Sequence, residues 1–249
     1  MKLSEETQYV RSIRLERREC NEFPFSLPAV QSLQERLSLH PNVTYIVGEN
    51  GMGKSTLLEG IVGALDINPE GGTKNFNFSS YDSHSNLHDF LKVTKGVHTP
   101  NDLFFFRAET YYNLATNIEE LDREGFGPKI IDSYGGQSLH EQSHGESFFA
   151  TFMYRFKGEG FYILDEPEAA LSPIRQLSML TRIHELVQEG SQLIISTHSP
   201  ILMSYPFAKI LQLTNKGMRD VSLEETDHYI TMKQFFDDKD RLLHHLLNG

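Results

Sequence analysis

Val43-Thr44-Tyr45-Ile46-Val47-Gly48-Glu49-Asn50-Gly51-Met52-Gly53-Lys54-Ser55-Thr56 is the stretch whose reading decides the fold. Residues 48 to 55 fit the phosphate-binding pattern G-x-x-x-x-G-K-[ST] without a gap. Val43 to Val47 is a β-branched and aromatic run, as in a buried strand. After Lys54, the apolar residues Leu57, Leu58, Ile61, Val62 and Leu65 follow helical spacing. The motif therefore sits on a strand–loop–helix turn. Gly48, Gly51 and Gly53 let the backbone curl so that successive N–H groups point inward at an anion. Asn50 and Thr56 complete the loop, and the helix beginning near Lys54 adds its positive dipole end. Lys54 is placed to reach the β- and γ-phosphates of a nucleotide, and the Ser55 hydroxyl to join a Mg²⁺ shell of phosphate oxygens and water.

The chain has 249 residues, room for one large α/β domain or two small ones. Its net charge of −11 argues against a general nucleic-acid surface, although a local basic groove is compatible with it. A lone cysteine, Cys20, permits no internal disulfide and fits a reducing cytosol, so a cytoplasmic location is expected. Met1 to Thr7 precede no apolar stretch, so no signal peptide is expected. No window approaches the roughly 18 apolar residues of a bilayer span, so direct membrane insertion is not expected.

Upstream of the phosphate loop, Tyr9 to Leu15 alternate as an edge strand, and Phe23 to Leu27 form a short strand candidate. The rings of Phe23 and Phe25 are read as core packing, with stacking on an adenine as the alternative. Gln31 to Leu39 reads as a short helix ending at His40-Pro41. Asn68 to Pro100 is polar and weakly periodic, an insertion with a hairpin strand at Phe76 and Phe78 and a short helix over Leu87 to Leu91. Its histidines, His84, His88 and His98, have no metal-ligand spacing and read as solvated. Leu103 to Phe106 returns to strand character, and Tyr111, Leu114, Ile118 and Leu121 mark a helix. Ser133 to Gly145 is a Gly, Ser, Gln and His-rich loop, followed by a helix from Glu146 to about Phe156. Phe161 to Leu164 and Gln192 to Thr197 are buried strands separated by a helix from Pro173 to Glu189. Lys209 to Leu213 and Met218 to Leu223 form a hairpin, and an amphipathic helix over roughly Thr226 to Leu247 breaks near Asp237-Asp238.

Asp165-Glu166 ends the Phe161 to Leu164 run, a place where acids are not core residues. In phosphoryl-transfer sites an aspartate so placed helps hold hydrated Mg²⁺. A carboxylate one residue on can act as general base on the attacking water. Here the resemblance to the ATP-binding-cassette (ABC) ATPase superfamily becomes specific, and it covers nearly the whole chain. Phe161-Tyr162-Ile163-Leu164-Asp165-Glu166-Pro167 resembles its Walker B motif and catalytic glutamate. Glu168-Ala169-Ala170-Leu171-Ser172-Pro173 resembles the D-loop, and Ser196-Thr197-His198-Ser199-Pro200 the switch-histidine strand. The resemblance implies that a neutral His198 donates to the γ-phosphate and positions water. Ser172 stands where transporter subunits usually carry aspartate. The Asp-Glu-Pro-Glu-Ala-x-Leu wording is more similar to the soluble SMC/RecF/OLD-like branch and small AAA-type ATPases. Ser133-Tyr134-Gly135-Gly136-Gln137 resembles the family's S-G-G-Q signature in wording. Ser143-His144-Gly145-Glu146 resembles it in position, opening the helix before Walker B, so Ser143, Gly145 and Glu146 are assigned to it. The family's Q-loop glutamine has no counterpart. Arg107 or Glu109 stands in its place, and Glu109 is favoured because a carboxylate can bind Mg²⁺ or its water.

The expectation is an α/β fold: a P-loop NTPase core with a mostly parallel sheet, an antiparallel β-edge and a helical signature lobe. It forms one domain over residues 1–249, the core lobe covering about 1–67 and 157–249 and the insertion and helical lobe about 68–156. The function expected from the resemblance is Mg²⁺-dependent ATP hydrolysis. Glu166 and His198 are the catalytic residues, and Ser55, Asp165 and Glu109 face the metal. ATP is expected to drive a head-to-tail homodimer in a soluble ATPase of DNA maintenance or defence, with a nucleic acid or protein as partner. The alternatives are the nucleotide-binding subunit of a membrane transporter and a nucleotide-gated switch with negligible turnover. Glu166 and His198, both present, argue against the switch. The short path from Lys54 to Ser143 leaves no room for a long coiled coil.

Overall fold

The computed structural model describes residues 2–16, 23–69, 71–73, 86–108, 110–124, 129–136 and 144–248. In chain order the elements are β1 (Val10–Leu15), α1 (Pro28–Gln31), β2 (Leu37–Ser38), β3 (Val43–Val47), α2 (Lys54–Ala64), β4 (Leu91–Lys95), β5 (Asp102–Arg107), α3 (Tyr111–Glu124), α4 (His144–Ala150), β6 (Gly160–Asp165), α5 (Pro173–Gln188), β7 (Gln192–Ser196), α6 (Pro200–Met203), β8 (Ala208–Thr214), β9 (Gly217–Val221), α7 (Asp227–Asp237) and α8 (Lys239–Asn248).

The apolar runs become interior strands. The main sheet has six strands in the order β5-β6-β7-β3-β8-β9, all parallel except the terminal β8–β9 hairpin. Every residue of β3, β6 and β7 is buried, because helices cover both faces of a parallel sheet. Successive side chains alternate between two cores. Val43, Tyr45 and Val47 join Phe104, Phe106, Tyr162, Leu164, Leu193 and Ile195 in one. Ile46 joins Phe105, Phe161, Ile163 and Ile194 in the other, together with Leu57, Leu58 and Ile61 of α2. A second sheet, β2-β1-β4, is antiparallel, and its residues Ile13, Leu37 and Leu91 belong to this second core.

The helical lobe is fixed to the first core by aromatics. Phe106 packs against Phe148 at 4.1 Å between ring centroids, and Phe156 stacks on Tyr162 at 4.4 Å and 9°. Truncating one such buried ring to alanine costs on the order of 3–5 kcal/mol. Arg155 adds a two-pronged hydrogen bond to Asp102, at 2.6 and 3.0 Å.

Several local expectations are corrected. β1 is the central strand of the small sheet, not an edge, because β4 pairs along its other side. Residues 23–27 form a turn leading into α1, since Pro24 and Pro28 flank the stretch and Pro28 suits a helix start. The helix expected over Gln31 to Leu39 shrinks to the end of α1 and a 3₁₀ turn at Ser32–Gln34, after which the chain extends into β2. The expected helix over Leu87 to Leu91 is a 3₁₀ turn, Asn86–Phe90, leading into β4. The helix expected from Glu146 begins at His144, and its last turn, Thr151–Arg155, widens to π geometry. Thr151 Oγ1 bonds the Ser147 carbonyl in that turn, at 3.1 Å. The hairpin strand at Phe76 and Phe78 lies outside the described residues.

Candidate active site

Three parallel strands, β3, β6 and β7, end at the same edge of the sheet, where open α/β folds bind ligands. From β3 the chain turns through Gly48 to Gly53 into α2. Gly51 and Gly53 hold φ of 79° and 88°, conformations that side chains rarely adopt. A Cβ on Gly53 would also press on Leu27 at 3.0 Å, and one on Gly48 would meet the Leu213 carbonyl at 3.0 Å. Lys54 is 5% exposed. Its Nζ donates to the carbonyls of Gly48 at 2.7 Å and Glu49 at 3.0 Å. Burial lowers its pKa, while Glu166, Asp165 and Glu168 act in the opposite sense. Asn50, Ser55 and Thr56 join Lys54, Phe23 and Glu166 around a cleft of about 360 Å³.

Asp165 ends β6 and is 4% exposed. Burial pushes its carboxyl up to about 6, with Glu166 adding to the rise and the Ser55 hydroxyl and Arg107 guanidinium opposing it. Its Oδ1 meets no hydrogen bond of good geometry. A buried carboxylate oxygen in that state, beside the Ser55 hydroxyl, fits a hydrated divalent cation shared with phosphate oxygens. Among the described residues, no group of three or more His, Cys, Asp and Glu side chains could hold a metal ion by itself. Glu166 follows in a left-handed conformation, φ 49° and ψ 53°, which is strained for a residue with a side chain. Its amide donates to the Ser196 carbonyl at 3.0 Å, tying the ends of β6 and β7 together.

His198 follows β7. Its amide donates to Glu168 Oε1 at 2.5 Å, and its Nε2 stands 3.3 Å from Glu166 Oε1. That Nε2 is buried and makes no hydrogen bond. On the far side of the ring, His198 Nδ1 lies 2.8 Å from His228 Nε2. The sequence reading missed His228. It sits in the first turn of α7, and its approach to His198 is a tertiary contact with no local pattern.

Arg107, the alternative at the Q-loop place, ends β5. Its guanidinium pairs with Glu59 of α2, and its Nε lies 3.8 Å from Asp165 Oδ2. Glu109 and Ser143 lie outside the described residues. Gly145 and Glu146 do not line the phosphate-loop cleft, and Glu146 lies 3.5 Å from Arg175 of α5. The structure thus brings Lys54, Ser55, Asp165, Glu166 and His198 together but leaves Gly145 and Glu146 away from them. Of the two aromatics, Phe25 is buried against Phe90, whereas Phe23 is 68% exposed beside the cleft.

A strand–phosphate loop–helix unit with an acidic strand end beside it is the arrangement of a P-loop nucleotide-binding fold. A family profile described as "AAA domain" matches residues 23–135, and one described as "AAA domain, putative AbiEii toxin, Type IV TA system" matches residues 130–204. The energy-coupling factor transporter ATP-binding protein EcfA2 of Methanospirillum hungatei is 26% identical over 212 residues, covering 78% of this chain and 51% of that protein. The chain thus spans about half the length of this relative. The cytochrome c biogenesis ATP-binding export protein CcmA of Legionella pneumophila is 27% identical over 183 residues, covering 69% of this chain and 88% of that one. In fold, the chain is similar to cbiO1 of Clostridium perfringens, part of the ABC transporter complex cbiONQ: TM-score 0.52, 15% identity, 97% of this chain and all of that one. By these matches the chain is similar to ATP-binding proteins of the ABC type, and it shares their fold. No helix among the described residues is long and apolar enough to cross a membrane.

Proposed function

We propose that the chain hydrolyses ATP at the cleft between β3, β6 and β7. The observation that carries this reading is the convergence of Lys54, Ser55, Asp165, Glu166 and His198 on one edge of the sheet. Lys54 exchanges its loop carbonyls for the β- and γ-phosphates. The loop amides of Gly48, Asn50, Gly51, Gly53 and Thr56 cradle the same groups. Ser55, Asp165 and, through the residues after β5, Glu109 would hold Mg²⁺, which when bound neutralises charge on the β- and γ-oxygens. Arg107 is engaged with Glu59 and Asp165, which favours Glu109 for that role. Glu166 accepts a proton from the water that attacks the γ-phosphorus. His198 Nε2 donates to a γ-phosphate oxygen, and the bond to the bridging oxygen breaks to give ADP and phosphate. Phe23, exposed beside the cleft, would stack on the adenine.

Gly145 and Glu146, in the first turn of α4, do not line the cleft, and the segment Ser143, Gly145 and Glu146 is read as serving a second copy. These residues would complete the site of a second copy, head to tail across a two-fold axis, as resemblance to the ABC superfamily implies. The Glu168-Ala169-Ala170-Leu171-Ser172 D-loop supports a soluble cytoplasmic ATPase of DNA maintenance or defence, with a nucleic acid or protein as partner. The printed names of the relatives support the other reading, a nucleotide-binding subunit beside a membrane partner. Co-purification of the native protein distinguishes the two: an integral membrane protein in the complex favours the transporter.

The shared site is tested by mixing. Lys54→Ala and Ser143→Arg proteins are each expected to be inactive alone. In a heterodimer, one composite site has an intact loop facing an intact signature. Partial recovery of ATPase is expected. No recovery, in heterodimers shown to form, would count against a site shared between copies whose halves fire independently.

A further inference from the structure

We propose that His228 is a positioning residue for turnover: its hydrogen bond to Nδ1 of His198 keeps the proton of His198 on Nε2, the nitrogen 3.3 Å from Glu166. This inference rests on the role proposed for His198.

A neutral imidazole carries one N–H. His198 Nδ1 and His228 Nε2 are 2.8 Å apart, so one of them donates and the other accepts. On its other side, His198 Nε2 lies 3.3 Å from the Glu166 carboxylate, an acceptor only, without a hydrogen bond in the nucleotide-free geometry. A bare Nε2 would set a lone pair against that carboxylate and against a phosphate oxygen. A protonated Nε2 is attracted to the carboxylate and leaves its N–H free to donate to a phosphate oxygen. The proton therefore belongs on Nε2, Nδ1 is bare, and His228 supplies the N–H that Nδ1 accepts. Without that donor, the Nδ1–H form of His198 loses its competitor, and the bare Nδ1 of the Nε2–H form is left without a partner.

His228 is itself held in place. Thr226 caps α7 by accepting from the Tyr229 amide at 3.3 Å, and Asp227 Oδ2 accepts from Gln212 of β8 at 2.6 Å. Burial, with the positive charge of Lys54 and the neighbouring His198, lowers the His228 pKa, against Asp227 and Glu49, which raise it. The two imidazole rings sit 5.0 Å apart at 58°, so the contact is edge-on through the nitrogens and not a stack. The arrangement matches the general device in which a second group, bound to one ring nitrogen, sets what the other presents.

The test compares three substitutions with one control. His228→Ala and His228→Phe should each lower kcat about tenfold or more, with the KM for ATP changed less than about twofold. His228→Gln, whose amide can donate, should return kcat to within about threefold of the unsubstituted protein. A phenylalanine fills the space without donating, so equal loss in Ala and Phe but not in Gln assigns the effect to the hydrogen bond. Unchanged kcat in Ala and Phe overturns the inference, as does loss in Gln equal to that in Phe. His198→Ala is the control. If it retains full turnover, the role of His198 fails. If it is impaired while all His228 variants are not, only this inference fails. Nitrogen-15 NMR of histidine-labelled protein provides the readout should a variant not fold. His198 is expected as the Nε2–H tautomer, and the Nδ1–H tautomer would overturn the inference.

Discussion

The cleft has two walls of different origin. The phosphate-loop wall comes from one uninterrupted stretch, Gly48 to Thr56, whose shape is set by left-handed glycines and the start of α2. The histidine wall is assembled from three elements: Glu166 and Glu168 after β6, His198 after β7, and His228 on α7. The first wall can be built by local backbone conformation. The second exists only when β6, β7 and α7 are packed. Under the proposed function, the first would govern nucleotide binding and the second turnover, and substitutions should separate along that line.

Lys54→Ala should have the largest effect. It removes the cation nearest the β- and γ-phosphates, and ATP affinity should fall about 100-fold or more in calorimetry. Undiminished affinity would dissolve the distinction from its first side. Next comes Glu166→Gln, which should retain ATP binding and lower kcat about 100-fold, the scale for losing a positioned base. With hydrolysis slowed, ATP should also give a dimer on size exclusion, larger in population than without nucleotide.

Asp165→Asn probes the seam between the walls. The folded Asp165 carboxyl titrates at about 6, above its ordinary value of 3.8. Between those values the folded protein holds a proton that the unfolded chain has lost. Stability therefore falls as pH rises through that window, and the deficit persists above it. A shift of about two units corresponds to roughly 3 kcal/mol as an upper figure. Asn carries no such charge. Nucleotide-free Asp165→Asn should be more stable than the unsubstituted protein at pH 8 by up to that amount, and the gap should close near pH 4. Denaturant unfolding at the two pH values checks this, and a gap independent of pH would remove the buried charge as its cause. The smallest effect is expected for Phe23→Ala, a few-fold rise in the KM for ATP, since an exposed stacking ring contributes about 1 kcal/mol.

The same division explains what could be read from the sequence. Lys54, Ser55, Asp165 and Glu166 lie at the ends of apolar runs or in a contiguous motif, so their location follows from strand and loop grammar. The parallel core was legible because Val43 to Val47, Phe161 to Leu164 and Leu193 to Ile195 have no polar face. β4 was not, because Leu91 and Val93 alternate over a span too short to stand out beside the 3₁₀ turn before it. The turn at 23–27 was misread as a strand because Phe23 and Phe25 alternate while Pro24 and Pro28 fix the backbone otherwise. His228 was invisible for a different reason. Its partner is set by where α7 docks, and α7 is amphipathic in a way that many packings would satisfy. The pairing of Arg107 with Glu59 likewise joins β5 to α2 by tertiary contact.

The central claim is that the two walls act on one reacting centre. The most direct measurement is a double-mutant cycle on kcat with Glu166→Gln, His198→Ala and the combined protein, all at saturating ATP. With Glu166 Oε1 and His198 Nε2 3.3 Å apart, and both proposed to act on one water and γ-phosphate, each single substitution should be severe. The combined protein should be no more than about threefold slower than the worse of the two, as for residues that act as a unit. Losses that multiply in the combined protein would contradict the account, because the two side chains would then serve separate steps.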